Sequence, residues 1–237
     1  MKTSYKTLLA CTVAMMIAPA TSASAESTRY WGGASWAEDA AYAYFGGTHA
    51  LNGDLSKDGH LVRLGLGYGD YHYNSVAVPG TTVDGDTQRI DAMVGYQKFF
   101  PTWRVTGYVG ADYIHHDISP NDPNNSVDGT EFGVKGQIEL VKQWDDKHVI
   151  DVAVNASTAY NTFWSRGRVT RDMGGFTFGP EVTILGSESF DQTRVGVHIG
   201  EVQWIDAFDL NFQLGYMYAG RRGDDSAYVN VGFSDSF

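Results

Sequence analysis

The sequence predicts an all-β protein, a transmembrane antiparallel up-and-down β-barrel of about twelve strands. Three observations point there. Apolar and polar residues alternate with period two along most of the chain. The alternating stretches run about 10 to 13 residues, whereas strands of soluble proteins cluster near 5 or 6 and bilayer-spanning strands need about 9 to 11. Connectors also alternate between short ones (Pro101-Thr102, Trp144 to Lys147, Asp172 to Gly174) and longer polar ones (Asn74 to Asp86, Ser119 to Asp128, Gly220 to Ser226), as periplasmic turns and outer loops do.

The first 25 residues read as a secretory leader. Lys2 and Lys6 form a positive start, Thr7 to Ile17 an apolar stretch, and Ala23-Ser24-Ala25 a small-residue cleavage site before Glu26. Leu8-Leu9-Ala10-Cys11 resembles a lipoprotein box, but the apolar run continues past the cysteine. Cys11 is the only cysteine, so residues 26–237, the expected barrel domain, hold no disulfide and depend on sheet hydrogen bonding and burial.

Two weak strands open the barrel, Arg29 to Ala37 and Ala41 to Leu51, with Glu38-Asp39 as their turn. From there the two faces separate clearly. Val62, Leu64, Leu66 and Tyr68 oppose Arg63, Gly65 and Gly67. Ile90, Ala92, Val94 and Tyr96 oppose Arg89, Asp91 and Gln97, and Val105, Val109, Ala111 and Tyr113 oppose Arg104, Thr106 and Asp112. Phe132, Val134, Ile138 and Leu140 face away from Glu131, Lys135, Gln137 and Glu139; Ile150, Val152 and Val154 face away from Asp151 and Asn155. The pattern repeats in Phe178, Val182 and Ile184 against Glu181 and Thr183, and in Val195, Val197 and Ile199 against Arg194 and His198. It closes with Phe208, Leu210, Phe212, Leu214 and Tyr216 against Asp209, Asn211 and Gln213, then Val229, Val231 and Phe233 against Tyr228, Asn230 and Ser234. The terminal Phe237 resembles the assembly signal of outer-membrane barrels, and an even strand count brings both ends to one side.

Composition agrees. The 237 residues are 43% hydrophobic and 19% charged, which excludes a disordered chain, and no apolar run beyond the leader reaches the roughly 18 residues of a membrane helix. The 28 glycines exceed the usual share of about 7%, and with 14 tyrosines and 12 phenylalanines they suit strands and turns. A net charge of -11 without a basic stripe excludes nucleic acid as a partner.

With the apolar face toward lipid, the opposite face lines a lumen. Its basic residues are Arg63, Arg89, Arg104, Lys135, Arg166, Arg168 and Arg194, and its acidic ones Asp91, Asp112, Glu131, Glu139, Asp151, Glu181 and Asp209. Equal numbers of each sign predict a narrow lumen bridged by ion pairs, since an ion-selective pore needs an excess of one sign. No nucleophile elbow, zinc-protease helix, phosphate loop or dinucleotide fingerprint is present, so the expectation is a protein without catalysis, cofactor or metal. Adjacent His115 and His116 point to opposite faces of a strand and read as loop-edge residues. Asp122, Asn124, Asn125 and Asp128 sit with Pro120 and Pro123 as turn formers. The six tryptophans read mainly as interfacial girdles.

Several strings carry more than alternation: Ala50-Leu51-Asn52-Gly53-Asp54-Leu55-Ser56-Lys57-Asp58-Gly59 followed by Val62-Arg63 and Gly67-Tyr68-Gly69-Asp70-Tyr71; Gly95-Tyr96-Gln97; Val109-Gly110-Ala111-Asp112-Tyr113 with His116-Asp117; Ser119-Pro120-Asn121-Asp122-Pro123; and Gly179-Pro180-Glu181 leading to Leu185-Gly186 and Arg194-Val195-Gly196. Together they resemble the cellulose biosynthesis protein BcsS family of outer-membrane barrels. The resemblance implies the bacterial outer membrane, surrounding lipid, and a non-enzymatic accessory role in making or secreting cellulose, an exopolysaccharide of biofilms, with cellulose or other cellulose-synthesis components as partners. It carries over no catalytic residues. The alternatives are a small passive porin, from strand number alone, and a lipid-modifying barrel enzyme using His115 or His116.

Overall fold

A computed structural model describes residues 26–237 except Asp206, Ala207 and Arg222, and only the backbone of 203–205 and 208. The leader and the side chains of Trp204 and Phe208 lie outside the described residues. Twelve strands follow in chain order: β1 Thr28–Trp36, β2 Ala40–Ala50, β3 Gly59–Asn74, β4 Thr82–Phe100, β5 Trp103–Ser119, β6 Gly129–Gln143, β7 His148–Ser157, β8 Phe163–Asp172, β9 Thr177–Gly186, β10 Asp191–Ile205, β11 Phe208–Ala219 and β12 Ser226–Ser236. Each pairs antiparallel with its sequence neighbours, and β1 pairs with β12 from Arg29↔Ser236 to Trp36↔Val229, so the sheet is closed and has no free edge.

Closure brings the start of β1 and the end of β12 together at one rim. The Phe237 carbonyl accepts bonds from Ser27 N (2.7 Å) and Thr28 N (2.9 Å), and Phe237 N donates to Thr28 O (2.9 Å). The Phe237 ring lies 5.2 Å from that of Tyr30. The terminal aromatic therefore locks the β1–β12 seam.

The outer face is apolar where the alternation predicts. One register row, Phe45–Leu66–Ile90–Tyr113–Phe132, crosses five strands, and Leu64, Val94, Val109, Phe132, Val134 and Ile138 are all exposed. Above this belt the polarity of β3–β5 inverts. Outward positions become Asp84, Asp86, His115 and Asp117, while Tyr73, Val83 and Ile118 are buried inside and pack with Tyr71 and Val78. Strand β3 runs to the first residue of the stretch expected as a loop and β4 takes up its last five, leaving 75–81 as the connector. Beyond an apolar surrounding, an outer face exposed to water wants charge and the interior needs its own hydrophobic core.

The connector between β2 and β3 folds into the terminal-side mouth. Leu55 packs with Ala50, Leu61, Met93 and Tyr108, and the Gln97 amide donates to the carbonyls of Leu55 (3.0 Å) and Lys57 (2.7 Å). Phe99 N donates to the Asp58 carboxylate (2.7 Å). Inside the loop the Asp54 carboxylate accepts from Lys57 Nζ (2.7 Å), Ser56 N (2.8 Å) and Ser56 Oγ (2.6 Å). Lys57 first, then Ser56, holds that carboxyl at about 2, below its ordinary 3.8. A depressed carboxylate stabilises the folded loop above pH 3.8, and the effect disappears as pH falls through about 2. Pepsin should accordingly spare the loop at pH 4 and cut it progressively toward pH 2, whereas Asp54→Asn should be cut at both. Equal resistance of parent and variant at pH 4 would refute this anchoring role.

Candidate functional site

The lumen is a cavity of about 940 Å³ running between the two rims, lined from Arg29 and Ser236 at one to His72, Asn125 and Asp224 at the other. Strand parity places the charged residues there, and barrel curvature decides which of them meet. Arg89 holds Asp112 with two bonds (3.2 and 2.6 Å) and reaches Thr162 Oγ1 (3.1 Å). Lys135 Nζ lies 2.8 Å from Asp91, both side chains under a tenth exposed. Arg63 spans from β3 to Glu139 on β6 (3.3 Å), and Glu139 also accepts from the Gln137 amide (2.6 Å).

A second network occupies the opposite wall. Asp151 receives Arg166 (2.8 Å) and Arg168 (3.4 Å), and Arg168 contacts the His198 ring (3.2 Å), with Glu181 3.7 Å from that ring. His198 meets the Gln213 amide (3.1 Å), Gln213 bonds Asn230, and Asn230 Nδ2 donates to the Tyr44 hydroxyl (3.4 Å). Arg194 crosses to Ser35 Oγ on β1 (3.1 Å) and holds Gln192 (3.2 and 3.0 Å). Arg104 and Asp209 line the lumen and make no side-chain hydrogen bond or ion pair among the described residues. The Glu131 carboxylate accepts from Tyr160 N (2.6 Å) and anchors the 3-10 turn Ala159–Asn161 between β7 and β8. Asp112 is fully buried behind Arg89.

The girdle reading fits Trp36, Trp103 and Trp144, which are exposed. Trp31 and Trp164 instead line the lumen. Trp31 shares parity with Arg29, Gly33 and Ser35, and the Arg63 guanidinium lies 4.4 Å from its ring centre; Arg166 lies 5.5 Å from that of Trp164. Tyr42, Tyr44, Tyr108 and Tyr228 line the lumen as well. The sequence signal for the β2 pair is the run Ala41-Tyr42-Ala43-Tyr44, which alternates small and aromatic residues without a charge to mark the inner face.

His115 and His116 do separate. His115 Nδ1 meets Thr130 Oγ1 (2.8 Å), and His116 sits inside between Tyr71 OH (3.2 Å), Thr87 Oγ1 (3.4 Å) and the Tyr160 ring. Asp122 takes the Tyr73 hydroxyl (3.0 Å) and Asn124 N (3.0 Å), so the β5–β6 loop is tied down by its own turn residues.

An antiparallel barrel of twelve strands, apolar outside and ionic inside, with the first strand starting and the last ending at one rim, has the architecture of outer-membrane barrels. Solved structures share it. An outer membrane channel from Pseudomonas putida F1 superposes with a TM-score of 0.58 at 12% identity, over 93% of this chain and 100% of that one. A TodX deltaS2S3 mutant monoaromatic hydrocarbon channel gives 0.53 at 8% identity over 90% and 91%, and LpxR from Salmonella typhimurium gives 0.51 at 12% over 89% and 100%. At such identities the likeness is one of fold. Residues 29–237 match the sequence profile of the family described as cellulose biosynthesis protein BcsS, and the chain belongs to that family. No curated protein sequence matches it.

Proposed function

We propose that this chain is a non-enzymatic accessory barrel of the bacterial outer membrane that serves cellulose production or secretion. The observation that carries the reading is family membership across 29–237 in a barrel whose outer face is apolar. The paired lumen supports an accessory role over a free pore: Arg63–Glu139 and Arg194–Ser35 cross the interior and no single sign of charge dominates it. Surrounding outer-membrane lipid and cellulose, or other cellulose-synthesis components, are the partners this reading requires.

A deletion strain should lose cellulose staining and biofilm and regain both with the intact gene; unchanged cellulose output would overturn the role. The purified protein in planar bilayers should show no steady large conductance, and a stable open channel would favour a passive porin instead. Replacing His115 and His116 should leave outer-membrane lipid composition unaltered.

A further inference from the structure

The inner wall of β1–β3 carries aromatic rings laid against glycines. Tyr42 and Tyr44, two positions apart on β2, have ring centres 6.4 Å apart and nearly parallel planes at 25°. Across the β2–β3 pairing, a Cβ on Gly67 would collide with the Tyr42 phenol, and one on Gly69 would stand 2.7 Å from its ring. Gly85 leaves the same space for Tyr71, the next lumenal aromatic toward the loop-side rim. Rings that lie over backbone present their other face to the cavity. Trp31 continues the line at 6.2 Å from Tyr44, but Arg63 covers it.

The polar groups beside these rings have a matching bias. The Asp91 carboxylate lies over Gly65, two residues from the glycine under Tyr42, and its Oδ1 is buried without a hydrogen-bond partner. On the other side Asn230, which donates to the Tyr44 hydroxyl, has an equally unpartnered Oδ1. Both atoms are acceptors enclosed by the wall, and a buried acceptor without a donor is costly. The nearby cations Lys135 and Arg89 are already neutralised by Asp91 and Asp112. A flat aromatic track fits a ligand with flat C–H faces, and beside Tyr42 the cations are held by carboxylates.

We propose that Tyr44, Tyr42 and Tyr71 form a binding track for a single neutral, unbranched, β-linked glucan chain, stacked ring on ring, with Arg63 closing the terminal-side end. The choice of glucan rests on the accessory role in cellulose production; the track itself rests on the geometry.

The test is titration calorimetry of the full barrel in detergent with cellohexaose, alongside maltohexaose and a hexamer of galacturonic acid. Cellohexaose should bind in preference to both. Tyr42→Ala and Tyr44→Ala should each weaken it at least tenfold, and Tyr42→Phe should keep it. Tyr42→Leu preserves bulk over Gly67 and Gly69 and should behave as Tyr42→Ala, which separates lost stacking from lost packing; heat-modifiable gel mobility reports folding for each. No binding by the folded parent, undiminished binding by Tyr42→Leu, or preference for the galacturonate would overturn the track. Such results leave the deletion phenotype standing, whereas an unchanged phenotype sinks the accessory role without touching the binding data.

Discussion

Asp91→Ala should destabilise the barrel by about 3–5 kcal/mol, the usual cost of removing one member of a buried ion pair. Lys135 and Asp91 are 6% and 8% exposed and 2.8 Å apart, so the pairing replaces the water that each charge has lost. Without Asp91 the Lys135 ammonium is stranded in the wall with the Arg89 cation as a neighbour. The double replacement Asp91→Leu with Lys135→Met removes both charges and should recover most of the loss, because an apolar pair of similar volume leaves nothing uncompensated. Urea unfolding in lipid vesicles, followed by tryptophan fluorescence, measures both. A harmless Asp91→Ala, or a double variant as unstable as the single, would show that water reaches the pair.

Val152→Arg should cost about 2–4 kcal/mol if the position lies near the bilayer midplane. Val152 faces outward on β7 between Leu140 on β6 and Gly167 on β8, with no acid in its register row to pair with. Gln88→Arg supplies the control. Gln88 also faces outward, but it sits beside Tyr68 and His115 where the outer face turns polar, and arginine there should cost about 0–1 kcal/mol. Equal costs at the two positions, read by the same vesicle unfolding, would mean that the outer face has no hydrocarbon belt.

Those two positions also show how far the chain could be read before folding. Period-two alternation assigns a face to Val152 whatever its neighbours do, because successive side chains on a strand point opposite ways. The same parity places Arg63, Arg89, Asp91 and Lys135 inside. It fails where no charge labels a face: Tyr42 and Tyr44 alternate only with alanines. Trp31 and Trp36 look alike in sequence and differ only in parity, five residues apart on β1, so one enters the lumen and the other the outer surface. The start of β4, residues 82–86, reads as loop because the outward acids Asp84 and Asp86 resemble loop acids.

Sequence by itself determined the strand order, the facing of the charged residues and the even count that returns both ends to one rim. Closure decided the rest. Which inward residues touch depends on curvature and register stagger, which bring Arg63 to Glu139 and Arg194 to Ser35 across the interior and fold the β2–β3 loop into the mouth. Alternation is a property of one strand, while a lumen contact belongs to several strands at once, and only their hydrogen-bonded ring sets that distance.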